Sequence, residues 1–181
     1  YHDQFPVDMI QGGAGTSTNM NANEVIANLA LMHMGHEIGE YQYCDSHDEV
    51  NRSQSTNDAY PTAIHMGLYA SHLRMMPHFE ALIASLRKKG EEFAHVIKMG
   101  RTQLQDAVPM TLGQTFNGFA SILEDEIKHL NHAAEDFLTV NLGATAIGTG
   151  ICSEPGYAEK AVAALAEITG WNVKLAEDWV G

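Results

Sequence analysis

The apolar positions of this chain recur with helical spacing over most of its length. From Thr111 to about Val140 they fall at Leu112, Phe116, Phe119, Leu123, Ile127, Leu130, Ala133, Phe137 and Val140, alternating steps of three and four. That stripe predicts one long bundle helix. A second stripe from about Asn57 to Lys98 runs through Met66, Ala70, Leu73, Phe79, Ile83, Leu86, Phe93 and Ile97. Pro77 and Gly90 are expected to kink it or divide it into consecutive helices, since proline removes a backbone donor. A shorter helix is predicted from about Asn21 to Met34, with Asn21 to Glu24 as its capping box and Val25, Ile26, Leu29 and Leu31 on its apolar side. Another runs from about Pro155 to Thr169 with Ala161, Ala164, Leu165 and Ile168, and stops at Gly170. The only strand pattern that competes is a short hairpin near Glu40 to Cys44. The expected class is mostly α, a long-helix bundle without internal repeats.

Composition narrows what such a bundle does. The 181 residues are 45% hydrophobic and 18% charged, enough apolar material for a packed core. Lys and Arg number 10 against 23 Asp and Glu, a formal charge of −13. The cations are scattered apart from the run Arg87-Lys88-Lys89, so the chain lacks the basic footprint that nucleic-acid binding needs. No apolar run reaches the roughly 18–20 residues of a membrane span, and Tyr1-His2-Asp3-Gln4 does not open like an export signal. Cys44 and Cys152 are too few for a disulfide scaffold. These features together predict a cytoplasmic, membrane-free protein with two reduced thiols.

The loops carry the candidate chemistry. Four segments concentrate Gly, Ser, Thr and Asn: residues 11–19, 54–58, 100–106 and 143–150. Taken singly, each is a cap or turn of the kind these residues favour. Taken together, they place hydroxyl and amide donors beside helix N-termini, where backbone N–H groups and the helix dipole favour a carboxylate. Three such loops could converge on one small diacid. A metal reading starts from two Glu-x-x-His spacings, Glu92 to His95 and Glu126 to His129, which resemble di-iron bundle ligands. Phe93 and Ile127 occupy the core stripe, which turns those carboxylates and imidazoles toward solvent. The pairs His33/His36 and His129/His132 are ordinary helix-surface spacings. No metal site is predicted.

The loop strings G-G-A-G-T-S-T-N-M-N-A-N-E-V, Q-S-T-N-D-A-Y-P-T, M-G-R-T-Q-L-Q-D-A-V-P and G-A-T-A-I-G-T-G follow one another in this order with helical spacers. In this the chain resembles the aspartase/fumarase superfamily, over essentially its whole length. Gly13-Ala14-Gly15-Thr16 and Ala107-Val108-Pro109 resemble the aspartase branch more than the fumarase branch, and Gln103 stands where many members have His. The resemblance implies a carbon–nitrogen lyase that eliminates ammonia from L-aspartate to give fumarate. The alternatives are a hydro-lyase acting on L-malate and a catalytically inactive helical fragment.

Carried over position by position, Thr16, Ser55 and Thr56 resemble the residues that hold the carboxylate beside the carbon losing its proton. Thr16, Asn57 and Gln103 correspond to contacts of the amino group, and Thr102 to a contact of the other carboxylate. The chemistry is consistent with donors of this kind, because proton loss beside a carboxylate builds a dianion that several hydrogen bonds must meet. Lys98 and Arg101 are the neighbouring cations and weaker candidates.

The family's glycine-serine loop, G-S-S-x-M-P-x-K-x-N, is not found in these 181 residues. Its serine is the family's general base, so no catalytic base is assigned in this chain, and a fragment of a lyase, inactive alone, is expected. Residues 1–98 correspond to the end of the family's N-terminal region and the start of its central helical domain, and 99–181 to that domain, ending before the catalytic loop. The resemblance further implies a homotetramer in which three subunits build each site, a small dicarboxylate as partner, and no organic cofactor.

Overall fold

The computed structural model of the protein describes residues 1–10 and 12–180. Gln11, which opens the first polar loop, and Gly181 lie outside the described residues. Four helices dominate: α1 (Thr16–Met34), α2 (Thr56–Glu92), α3 (Leu112–Asp136) and α4 (Tyr157–Thr169). They are joined by an antiparallel hairpin, β1 (Ile97–Thr102) and β2 (Gln105–Thr111), and by a short parallel pair, β3 (Thr139–Val140) and β4 (Lys174–Leu175). The mostly α class stands as the sequence predicts. Among the described residues no helix is long and apolar enough to cross a membrane.

The chain forms two compact units, residues 1–67 with 138–180 and residues 68–137, with α2 running through both. In the first unit, α4 is held by an apolar cluster of Val140, Val162 and Val173, with Met66, Leu138, Leu142, Leu165 and Trp171 around it. The β3–β4 pair fastens this cluster through Lys174 N–H to the Leu138 carbonyl at 2.7 Å and Ala176 N–H to the Val140 carbonyl at 2.8 Å. The buried face of α4 carries Ala158 and Val162, one position away from the predicted stripe, and Ile168 is exposed. Ala-rich helices leave this phase weakly specified, because most faces are apolar enough to be buried.

The second unit pairs the later part of α2 with α3. Arg87 clamps them: Nε and Nη2 reach Glu124 at 3.1 and 2.7 Å, and Nη1 reaches Asn117 Oδ1 at 3.1 Å. The hydrogen bonds from Arg87, and less so its charge, lower the Glu124 carboxyl. Phe93 and Phe116 meet at a centroid distance of 5.7 Å, and His72 Nε2 lies 3.0 Å from Asn131 Oδ1.

Four expectations are corrected. First, of the kink or division expected at Pro77 and Gly90, the division does not occur: α2 is one helix of 37 residues. Pro61 and Pro77 each remove one backbone donor from α2 without ending it. A Cβ on Gly90 would lie 2.6 Å from Asn117 Oδ1, so this glycine serves close helix approach rather than termination. Second, α1 starts at Thr16 with Gly15 as its N-cap, six residues before the predicted cap Asn21. Asn21 instead donates from Nδ2 to the Gln4 carbonyl at 2.9 Å. Third, residues 41–43 form a turn with no strand on either side, and the hairpin lies at 97–111. Its two connecting residues, Gln103 and Leu104, have φ of 46° and 65°, the left-handed pair of a tight hairpin turn. Fourth, the predicted 111–140 helix ends at Asp136 and hands over to β3.

Helix α3 begins in a reciprocal cap. The Thr111 hydroxyl accepts from Gln114 N–H at 3.1 Å, and the Gln114 side chain accepts from Thr111 N–H at 2.9 Å. Thr111→Ala is expected to lower stability by about 1 kcal/mol in chemical denaturation, with Thr111→Ser close to the original. An unchanged midpoint in Thr111→Ala would mean the cap contributes nothing.

Candidate functional site

Three of the four polar loops meet in the first unit. They line a cleft of about 610 Å³ whose walls include Thr16, Ser55, Thr56, Thr145 and Ala146, with Asn51, Arg52 and Ser53 at one side. The first loop enters by way of Gly15, whose φ of 86° and missing Cβ let the backbone rest on the Tyr60 ring of α2. Thr16 then opens α1, whose N-cap residue Gly15 supplies no side-chain cap.

The second loop is set by Asp58, which has no exposed surface. Its Oδ1 accepts from Ser55 N–H at 3.0 Å, while Oδ2 accepts from Gly143 N–H at 3.2 Å and Thr145 N–H at 2.7 Å. One carboxylate thereby closes the first turn of α2 and anchors the loop 143–146. A second tie runs beside it, from Asn57 Nδ2 to the Ala146 carbonyl at 2.7 Å. At the cleft's other side, Ser53 Oγ accepts from Glu154 N–H at 3.0 Å, and Arg52 pairs with Glu154 at 2.9 Å.

The hydroxyls of this turn are fixed in their roles. Ser55 Oγ accepts from Asn57 N–H at 3.2 Å, and Thr56 Oγ1 accepts from Asn19 Nδ2 at 3.1 Å. Each oxygen therefore accepts a hydrogen bond from the protein and has its own O–H to donate. Asn51 braces the same wall, its Oδ1 accepting from Asn23 Nδ2 at 3.0 Å and from Asn19 Nδ2 at 3.3 Å. Asn57 uses one amide N–H on Ala146, which leaves Oδ1 as an acceptor. Two donor hydroxyls, a neighbouring acceptor and the N-terminal end of a 37-residue helix suit a carboxylate with an adjacent ammonium group.

Charge around the cleft is local. Burial pushes the Asp58 carboxyl up from its ordinary range, and the backbone N–H groups of Ser55, Thr145 and Gly143 oppose that shift. Burial, then the Asp58 charge, raises the Tyr157 phenol. At the rim, the Asp48 carboxylate 2.7 Å away raises the His47 imidazole.

Of the sequence-predicted site residues, Thr16, Ser55 and Thr56 line this cleft, and Asn57 stands in the same turn. Thr102 and Gln103 belong to the other compact unit, at the tip of the β1–β2 hairpin, and both are exposed. Leu104 beside them is 92% exposed. Lys98 and Arg101 lie on β1, and Arg101 Nε pairs with Asp106 Oδ1 at 3.0 Å. The Glu126–His129 spacing forms only an exposed pair at 3.7 Å, and among the described residues no group of three metal-ligating side chains gathers. Sequence reasoning missed Asp58, Asn19, Asn51 and Thr145 as parts of the site. The Ser55-x-x-Asp58 spacing was the available signal, since it is the pattern of a reciprocal helix cap.

Residues 1–180 match the protein-family model described as "Lyase". The chain is 59% identical to an aspartate ammonia-lyase of Pseudomonas aeruginosa over 181 residues, 99% of this chain and 38% of that protein. It is 53% identical to the aspartate ammonia-lyase of Escherichia coli K12, covering 98% of this chain and 37% of the relative. The chain thus spans well under half the length of the curated relatives it matches. Among solved structures, a fumarate lyase:delta crystallin of Brucella melitensis superposes with a TM-score of 0.92 at 53% identity, over 98% of this chain and 39% of the other. A class II fumarase of Schistosoma mansoni gives a TM-score of 0.83 at 32% identity, over 97% and 40%.

Because its folded carboxyl titrates above the ordinary value of 3.8, Asp58 favours folding most when protonated. Its contribution, read as the difference in unfolding free energy between the protein and Asp58→Asn, is fully present below pH 3.8 and declines as pH rises through the folded value. A difference that grows with pH would mean that the backbone donors outweigh burial.

Proposed function

The chain belongs to the lyase family of the aspartase/fumarase superfamily, and from that membership we propose that the full-length protein carrying it eliminates ammonia from L-aspartate to give fumarate. The observation that carries the proposal is the pair of hydroxyls at the head of α2. Ser55 and Thr56 each accept a hydrogen bond from the protein and retain an O–H for a ligand. A dicarboxylate seated in the cleft receives these two donors, with Thr16 as a third, on the carboxylate beside the carbon that is deprotonated.

The reaction breaks a C–H bond next to that carboxylate and then the C–N bond of the neighbouring carbon. The electron pair left by the proton first moves onto the carboxylate oxygens as a dianion, then forms the double bond as ammonia departs. Donors already in place lower the barrier to the dianion, because they need no reorganisation when its charge develops. Asn57 Oδ1 accepts from the substrate ammonium, held for that role by the bond from Nδ2 to Ala146. The proton acceptor is assigned to the family's serine loop, which these residues do not include.

Thr102 and Gln103 belong to the same reading, as contacts of the second carboxylate and the amino group. Their place at an exposed hairpin tip supports delivery to the cleft of another copy in a homotetramer. Gln103 orients substrate there and cannot exchange a proton as a histidine does. The greater identity to aspartate ammonia-lyases than to the class II fumarase favours ammonia over water as leaving group.

Fumarate absorbance with L-aspartate, and separately with L-malate, tests this in the full-length protein. Turnover of aspartate alone is expected, with Ser55→Ala and Thr56→Ala each lowering kcat/KM by about 10²- to 10³-fold at unchanged helical content. Turnover of malate moves the protein to the hydro-lyase reading. Variants as active as the parent overturn the placement of the carboxylate.

A further inference from the structure

Thr145 lines the cleft, yet nothing in the family resemblance assigns it a role. Three observations set it apart from its neighbours. It holds φ at 60°, a conformation unfavourable for a β-branched residue and free of strain for glycine. The same loop uses glycine for this purpose at Gly143, Gly148 and Gly150. Its side chain is enclosed, the residue being 7% exposed, and its Oγ1 is buried without a hydrogen-bond partner. Only its backbone is satisfied, through the 2.7 Å bond from N–H to Asp58 Oδ2.

A strained backbone and an orphaned buried hydroxyl each cost folding energy, and such features concentrate at ligand sites. As a structural spacer, glycine would remove both penalties. What threonine adds is a donor beside the head of α2, on the loop that Asp58 fastens to Ser55. We propose that Thr145 is a further substrate-binding residue, whose hydroxyl donates to a carboxylate oxygen of the bound dicarboxylate. The proposal rests on the carboxylate assignment made above for the same cleft. It adds a donor from a second loop, tied to the Ser55 turn through Asp58, so that the charge is met from two loops.

The test uses the full-length protein with succinate as a non-reacting dicarboxylate, in calorimetric titrations, alongside ammonia release from L-aspartate. Thr145→Val removes the hydroxyl at nearly constant shape and is expected to weaken succinate about 10- to 100-fold, the range for a hydrogen bond to a charged group. Thr145→Ser keeps the donor and is expected to stay within about threefold of the parent, a rescue that a packing role would not give. Thr145→Gly accepts the positive φ, so it decides the matter even where the valine variant does not fold. It is expected to be more stable to denaturant and to lose the same affinity. Succinate binding unchanged in Thr145→Gly or Thr145→Val overturns the proposal, as does loss of affinity in Thr145→Ser. Absence of ammonia release by a parent that binds succinate through Thr145 fails the lyase reading alone.

Discussion

The site depends on one buried carboxylate. Asp58 takes backbone N–H groups from Ser55, Gly143 and Thr145, residues separated by more than 80 positions in the chain. Burying a charge in that position is costly, and the three backbone donors offset part of that cost. The dependence is mutual. The loop 143–146 has no regular structure of its own, and its N–H groups need an acceptor as much as the carboxylate needs donors. What results is a fixed relation between the head of α2 and a glycine-rich loop.

Around that fixed point the remaining polar side chains fall into defined roles. Asn19 and Asn23 on α1 converge on Asn51, and Asn19 also reaches Thr56. The Asn19 bond takes one acceptor site on the Thr56 hydroxyl, as the Asn57 N–H does on Ser55, and neither uses the hydroxyl's own O–H. The net charge of −13 is compatible with a dicarboxylate site because screening confines surface charges to within about 8 Å at physiological salt. Neutral donors and a helix end face the cleft, and the one arginine in its wall, Arg52, is paired with Glu154.

Much of the fold is legible in the sequence, for physical reasons that differ between elements. The stripe from Leu112 to Leu130 is long enough for periodicity to be unambiguous, and α3 follows it. The three loops that meet were recognisable from their density of Ser, Thr, Asn and Gly beside helix starts. The hairpin was not: Ile97–Thr102 and Gln105–Thr111 are exposed along most of both strands, so no alternation marks them, and Gln103-Leu104 lacks the Asn-Gly signal of a tight turn. The start of α1 was misplaced because Gly15 caps through backbone conformation alone, whereas Asn21 carries a side chain typical of a cap. Asp58 escaped notice for a related reason. An acidic residue in a first helical turn is expected from the helix dipole, and only tertiary structure reveals that its second oxygen serves a loop more than 80 residues away.

The most direct measurement is a crystal structure of the full-length protein with succinate bound. The account predicts one carboxylate within about 3.2 Å of both the Ser55 and Thr56 hydroxyls, with the Asp58 bonds to the 143–145 loop intact. A carboxylate held elsewhere in the cleft, or an Asp58 released from that loop on binding, would contradict it.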